Sequence, residues 1–197
     1  MHCYDVLVLG GGTAGSAAAL AAHQAGARVA MFNDGELGGL CILRGCMPTK
    51  TLLHAAHIAH HAGHSNTSGV RVKGAQIDFA AVMANKDLKV ERFKRAKIAS
   101  ISRGGYEVID ASAHFTGPDT IKAGDGTYRF TSGAVIAAGS IPSVPPIPGI
   151  KDVQYLTSDD LGFVNTMSIL PDAFEVFSLR PCEYIEARPE SRIGGSG

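Results

Sequence analysis

The chain is predicted to be an α/β protein built on a parallel sheet, and three observations at its N-terminus predict it. Tyr4-Asp5-Val6-Leu7-Val8-Leu9 is an apolar, β-branched run of strand length that stops at glycine. An alanine-rich helix is expected from about Ser16 to Gln24, ending near Gly26, a natural C-terminal stop. Ala27-Arg28-Val29-Ala30-Met31-Phe32 then supplies a second strand, so the chain opens on a βαβ unit.

The bulk numbers bound what this unit belongs to. With 197 residues, 45% hydrophobic and 18% charged, the chain is globular and long enough for one domain, or one domain and part of another. Its formal net charge is zero, which points to no nucleic acid and no membrane surface as partner. No apolar run approaches a membrane span, and no basic region or cleavage site of a signal peptide precedes the first strand. Four cysteines (Cys3, Cys41, Cys46, Cys182) are too few for a secreted disulfide scaffold. A cytoplasmic location is expected, where a close cysteine pair is more often catalytic or metal-binding than structural.

Between first strand and first helix, Gly10-Gly11-Gly12-Thr13-Ala14-Gly15 fits G-x-G-x-x-G in the context that dinucleotide binding requires. Gly10 permits the tight turn, Gly12 lets backbone approach a pyrophosphate, and Gly15 lets helix and strand pack closely. The N–H groups and dipole at the helix N-terminus attract phosphate charge. An acidic residue usually ends the second strand and binds ribose hydroxyls. Here Asn33-Asp34 stands in that place. Asn33 is expected to bond a hydroxyl less strongly than a carboxylate would, with Asp34 able to take over one residue later.

The next informative stretch is GGLCILRGCMPTK, residues 38–50. A zinc site wants a second Cys/His pair at compatible spacing, and C-x4-C with nothing similar downstream is a poor match. A disulfide meets a geometric objection: residues five apart in a regular helix have Cα atoms roughly 8.5 Å apart, whereas bridging needs under about 7 Å. A Cys41–Cys46 pairing therefore requires a distorted segment, to which Gly45 is suited, while Pro48 fits the first turn of a helix. Arg44, Lys50 and a helix N-terminus would favour a thiolate. The residues permit a redox pair without requiring one.

Downstream, a helix continues from Thr51 to about Gly63 and carries His54, His57, His60 and His61, with His64 just beyond. Their spacing puts several on one face; a solvated face is expected there, and no metal site is assigned. Residues 65–75 form a polar loop, and Asp78 to about Ser102 a second helix whose basic residues, Lys86 among them, are expected to be solvated. Short strands follow near 107–109 and 113–115, then a hairpin over 120–130 turning at Gly124-Asp125-Gly126. A separate buried strand is expected over 134–140, followed by a rigid proline-rich exit, 141–149.

GGLCILRGCMPTK, shortly after G-x-G-x-x-G, resembles the redox segment of the class I pyridine nucleotide–disulfide oxidoreductases, which include dihydrolipoamide dehydrogenase, glutathione reductase and mercuric reductase. The resemblance implies a Rossmann-like FAD-binding domain over residues 1–161: three layers, with a parallel sheet and a short antiparallel β-meander. FAD is then the cofactor, with NAD(P)H as electron donor in the full-length family. Cys46 becomes the cysteine nearer the flavin, a charge-transfer thiolate, and Cys41 the interchange thiol. Lys50 is placed near flavin N5, and Gly39 joins the cofactor-binding set. AAGSIPSVPPIPG resembles the family's second FAD element, A-T-G-S-x-P. There Ala138 replaces threonine and contributes backbone only, beside Gly139 and Ser140. Ala113 falls where members often have a glycine beside the adenine, and Thr157-Ser158-Asp159-Asp160 is also family-like.

The resemblance breaks after residue 161. Members continue with Leu-Pro, a strand and a second G-x-G-x-x-G for NAD(P)H. Here Leu170-Pro171 leads to Ser178, Arg180 and Glu183 in the three glycine places. Residues 162–197 are expected to be a divergent, disordered tail, and the chain a truncated form lacking the family's homodimer interface domain. The implied function is a flavin-dependent thiol–disulfide oxidoreductase passing electrons from NAD(P)H through FAD and Cys41–Cys46 to a small-molecule disulfide or a metal-ion substrate. The alternatives are a non-catalytic FAD- or nucleotide-binding fragment and a His/Cys metal-binding protein.

Overall fold

Among the described residues ten elements run in chain order: β1 (His2–Leu9), α1 (Thr13–Gln24), β2 (Val29–Asn33), α2 (Gly39–Leu43), α3 (Cys46–Gly63), α4 (Phe79–Ser102), β3 (Glu107–Asp110), β4 (Ala113–Gly117), β5 (Thr120–Ala123) and β6 (Gly126–Ile136). A 3-10 turn at Ile150–Asp152 follows. The computed structural model describes residues 1–63, 69, 72–73, 76–153, 155–157 and 159–160. Most of the loop expected at 65–75 and all of the tail expected at 162–197 lie outside them. Met1–Pro48 with Leu88–Gly162 form one compact unit, and Thr49–Asp87 belong to a second.

The six strands make one sheet in the order β3-β2-β1-β6-β5-β4. It is parallel from β3 through β6 and antiparallel across β6, β5 and β4. This is the expected α/β architecture, a parallel sheet continued into a three-stranded meander. Alternation along β2 shows how it is layered. Ala30 and Phe32 point into one core with Leu7, Ile121 and Ala123, where the meander folds across the sheet. Val29 and Met31 point into the other, with Val8, Ala19 of α1 and Ile101 of α4. Tyr128 of β6 closes on Phe32 edge-to-face, ring centroids 4.9 Å apart. In β1 the register shifts between Tyr4 and Val6, which puts Tyr4 on the same face as Leu7.

Two expectations are corrected. The separate hairpin arm and the buried strand over 134–140 are one continuous strand, β6, ending at Ile136. Ser132-Gly133 reads locally as a break, but the strand runs through because β1 pairs with it along nearly its whole length. Only residues 126–129 also pair with β5. Among the described residues, the second half of β6 has β1 on one side and no strand on the other. Val135 and Ile136 there are 36% and 71% exposed, not buried. The second correction is Lys86, which is buried rather than solvated, its ammonium 2.7 Å from the Asp87 carboxylate. On α4, Glu91 and Arg95 form a surface i,i+4 pair.

Candidate cofactor and thiol site

The strand order reverses between β1 and β6: the β1–α1–β2–β3 run builds one side of the sheet and β6 the other. In open α/β sheets ligands bind outside the carboxyl ends of the strands at such a switch point. Two loops leave β1 and β6 there, side by side, with Ala137 N donating to the Leu9 carbonyl at 2.8 Å. Gly10 has φ +112, and a Cβ on it would collide with the Ala137 carbonyl. A Cβ on Gly15 would collide with the Gly10 carbonyl, so α1 sits against the loop at the distance only glycine permits. Gly12 is the N-cap of α1 and no side chain caps the helix there. The first N–H groups of a twelve-residue helix therefore face outward without a side-chain acceptor.

Asn33, at the end of β2, holds this loop in place. Its Oδ1 accepts from Gly11 N at 3.0 Å and its Nδ2 donates to the Gly35 carbonyl at 2.8 Å. The side chain expected on a ribose thus fastens the dinucleotide loop to the turn after β2, keeping one lone pair and one hydrogen for other partners. Asp34 beside it is exposed. Sequence reading missed the part played by Gly11, the middle glycine. Its only local trace is the amide at position 33, twenty-two residues away. Ala113 begins β4, half-buried against the core under the meander. Just ahead of it, Ala111 N donates to the Asn33 carbonyl at 3.1 Å, so the β3–β4 link runs beside the same strand end. Ala138, Gly139 and Ser140 follow β6 and are exposed; Gly139 has φ +78 with open space around it.

The cysteine segment docks on the dinucleotide loop. Gly39 opens α2 with φ +74, and a Cβ there would lie 2.7 Å from the Gly12 Cα. The two backbones touch at a distance that a side chain at Gly39 would not allow, whereas a Cβ on Gly12 would meet the Gly39 Cα at an ordinary 3.7 Å. Cys41 lies in α2 and Cys46 is the first residue of α3. The break between them is the distortion that a Cys41–Cys46 pairing would require. Arg44 N and Gly45 N both donate to the Leu40 carbonyl, at 2.9 and 2.7 Å, closing α2 with a wide final turn. Gly45 is folded back so that a Cβ would stand 3.5 Å from the Cys41 Cα. Cys46 begins the next helix from that point. The two are not joined by a disulfide in this structure; Cys41 is half-buried and Cys46 exposed. Pro48 is the third residue of α3, where its missing N–H removes no helical hydrogen bond. Lys50 follows Cys46 by about one turn of α3 and is exposed.

One contact had no sequence signal. Arg44, in the break, pairs with Asp159 at 3.8 Å. Thr157 and Asp160 form the turn that presents Asp159. The Asp160 carboxylate accepts from Thr157 Oγ1 and N at 2.7 and 2.8 Å, and these bonds hold its carboxyl below the usual carboxylate range. Residues 115 positions apart show no such pairing in their spacing.

A family model described as pyridine nucleotide-disulphide oxidoreductase matches residues 4–168. The chain belongs to this family. A mercuric reductase of Staphylococcus aureus is 36% identical over 156 residues, 79% of this chain and 28% of that protein. A dihydrolipoyl dehydrogenase of Acholeplasma laidlawii is 31% identical over 150 residues, covering 76% of the chain and 44% of the relative. Among solved structures, the Cu(II) complex of the HOCl-induced flavoprotein disulfide reductase RclA from Escherichia coli superimposes with a TM-score of 0.69 and 26% identity. That match covers 85% of this chain and 36% of RclA. The chain thus spans less than a third of the mercuric reductase and under half of the dihydrolipoyl dehydrogenase. Family members bind FAD and use NAD(P)H. The residues here fit the FAD diphosphate: Gly10 and Gly15 let the loop pack tightly at an uncapped helix N-terminus, and a Cβ on Gly139 would meet nothing within 4 Å and one on Gly12 only the Gly39 Cα at 3.7 Å.

Among the described residues no three His, Cys, Asp or Glu side chains stand together as metal ligands. None of their helices is long and apolar enough to cross a membrane.

Proposed function

We propose that this chain is the FAD-binding, thiol-carrying part of a flavin-dependent disulfide oxidoreductase, with Gly10, Gly12, Gly15, Gly39, Ala113, Ala138, Gly139 and Ser140 around the cofactor and Cys41–Cys46 as the redox pair. Lys50 is assigned to the flavin side of α3, and Asn33 and Asp34 to the ribose end. The observation that carries the reading is the Gly12–Gly39 backbone contact, which presses the cysteine segment onto the loop that a dinucleotide occupies. Bound FAD supplies two-electron transfer, with NAD(P)H as the donor in the family.

The chain's own chemistry is thiol exchange. Cys41, as thiolate, attacks one sulfur of a small-molecule disulfide; an S–S bond forms to Cys41 and the substrate's other sulfur leaves as a thiolate. Cys46, as thiolate, then attacks Cys41 Sγ, releasing the second substrate thiolate and closing the Cys41–Cys46 disulfide. The substrate gains two electrons, and the two protons given up by the cysteines reappear on its thiols. A mercuric-type metal ion bound by the thiolate pair is the alternative substrate class, suggested by the mercuric reductase relatives. A cytoplasmic location and a homodimer completed by further domains belong to the same proposal.

The test is reconstitution. The purified chain mixed with FAD and gel-filtered should carry flavin absorbance. Dithiol titration should then consume one disulfide in the wild type and none in Cys41→Ser or Cys46→Ser. A chain that passes through colourless, with cysteines that never pair on oxidation, overturns the proposal. The second reading is an FAD-binding fragment without turnover. FAD retained with no NAD(P)H-dependent disulfide reduction selects it.

A further inference from the structure

We propose that His57 and His61, on the exposed side of α3, form a chelating site for a late first-row divalent cation, Cu(II) by preference. The two residues are four apart, so they are neighbours on successive turns, with Cβ atoms about 5–6 Å apart. Both are exposed, and their rings stand 6.4 Å apart at 61°. Binding one metal at about 2.0–2.1 Å from a nitrogen of each ring needs only a swing of side chains that solvent surrounds.

The rest of the helix leaves these imidazoles to such a task. Residues 46–63, CMPTKTLLHAAHIAHHAG, contain no carboxylate, so no i,i+4 ion pair within α3 engages the histidines. Imidazole suits copper, nickel and zinc, and at a simple two-nitrogen site the affinity order peaks at Cu(II), with water in the remaining positions. His61 is in the last turn of α3, where the negative end of the helix dipole adds attraction for a cation.

Neighbouring histidines stay outside the chelate. His60 is in ring contact with His61 at 5.9 Å but lies about 100° round the helix from it. His54 is three residues before His57 and so about 60° round the helix from it, against about 40° for His61. Among the described residues no third His, Cys, Asp or Glu stands with this pair, so the chelate they form is looser than a structural zinc centre; His64 lies outside those residues. This proposal is independent of the flavin and thiol assignments.

The chain is first treated with iodoacetamide so that its thiols cannot bind metal, then titrated with Cu(II) alone by calorimetry and electron paramagnetic resonance. His57→Ala, His61→Ala, His60→Ala and His54→Ala are compared. Alanine is the best helix former, so each variant keeps α3, which circular dichroism verifies. Loss of the tightest equivalent of Cu(II), and of its two-nitrogen hyperfine pattern, is expected in His57→Ala and His61→Ala and in neither of the others. Unchanged binding in either of those variants, loss in His60→Ala in place of His61→Ala, or no uptake by the wild type overturns the assignment.

Discussion

Replacing Gly39 by alanine tests the contact on which the functional reading rests. Two penalties operate. Gly39 has φ +74, where a Cβ costs about 1–2 kcal/mol. The Cβ would also stand 2.7 Å from the Gly12 Cα, a backbone atom that cannot rotate away, and such overpacking costs about 1–3 kcal/mol. Gly35 separates the two: its φ is +86, but a Cβ there would meet nothing within 4 Å. Gly35→Ala should therefore lose only the strain, and Gly39→Ala about 1–3 kcal/mol more. Urea unfolding of both variants and the wild type measures that difference, and FAD retention on gel filtration measures its effect on the cofactor loop. Equal destabilisation by the two substitutions, with FAD retained by Gly39→Ala, would show that the cysteine segment does not rest on the dinucleotide loop.

Asn33→Ala strands the buried Gly11 N–H, at a cost of about 1–3 kcal/mol, and should weaken FAD binding measured by flavin fluorescence. Asn33→Asp keeps the acceptor for Gly11 and should weaken it less; the reverse order would refute the latch. Gly45→Val places its Cβ 3.1 Å from the Leu40 carbonyl, and the branches beyond it crowd the Cys41 backbone. Air oxidation followed by thiol counting should then close the Cys41–Cys46 bridge more slowly than in the wild type. Burial, and then the hydrogen bond to Glu107, push the Tyr4 hydroxyl from 10.0 up to about 12. A raised tyrosine pKa contributes stability that is complete below pH 10 and is lost as pH rises toward 12. Tyrosinate absorbance should show a late-ionising group that Tyr4→Phe removes; simultaneous ionisation of all five tyrosines would contradict it.

The first half of the fold was legible because its information is local. Tyr4–Leu9, the glycines of 10–15 and the alanine run each encode an element through composition and period. The break between Cys41 and Cys46 was legible only conditionally: if the two pair, the reach of a disulfide excludes a regular helix across five residues, and Gly45 was the local signal for the distortion. β6 was not legible, since Ser132-Gly133 resembles an ending and only the pairing with β1, more than a hundred residues away, carries the strand through. Asn33 was assigned to a ribose because its position suggested it. That its amide is engaged by Gly11 N–H and the Gly35 carbonyl emerges only when β1 and β2 lie side by side. Arg44–Asp159 and the Gly12–Gly39 approach are likewise products of tertiary structure.

The half-paired β6 has a colloidal consequence. Among the described residues no strand pairs with the second side of 131–136, beside Val135 and Ile136, and unprotected edges of that kind recruit strands from other molecules. With a formal net charge of zero, long-range repulsion does little to keep copies apart. The chain should scatter light increasingly with concentration and time, and a lysine at Ile136 should delay that turbidity while leaving the thiol segment untouched.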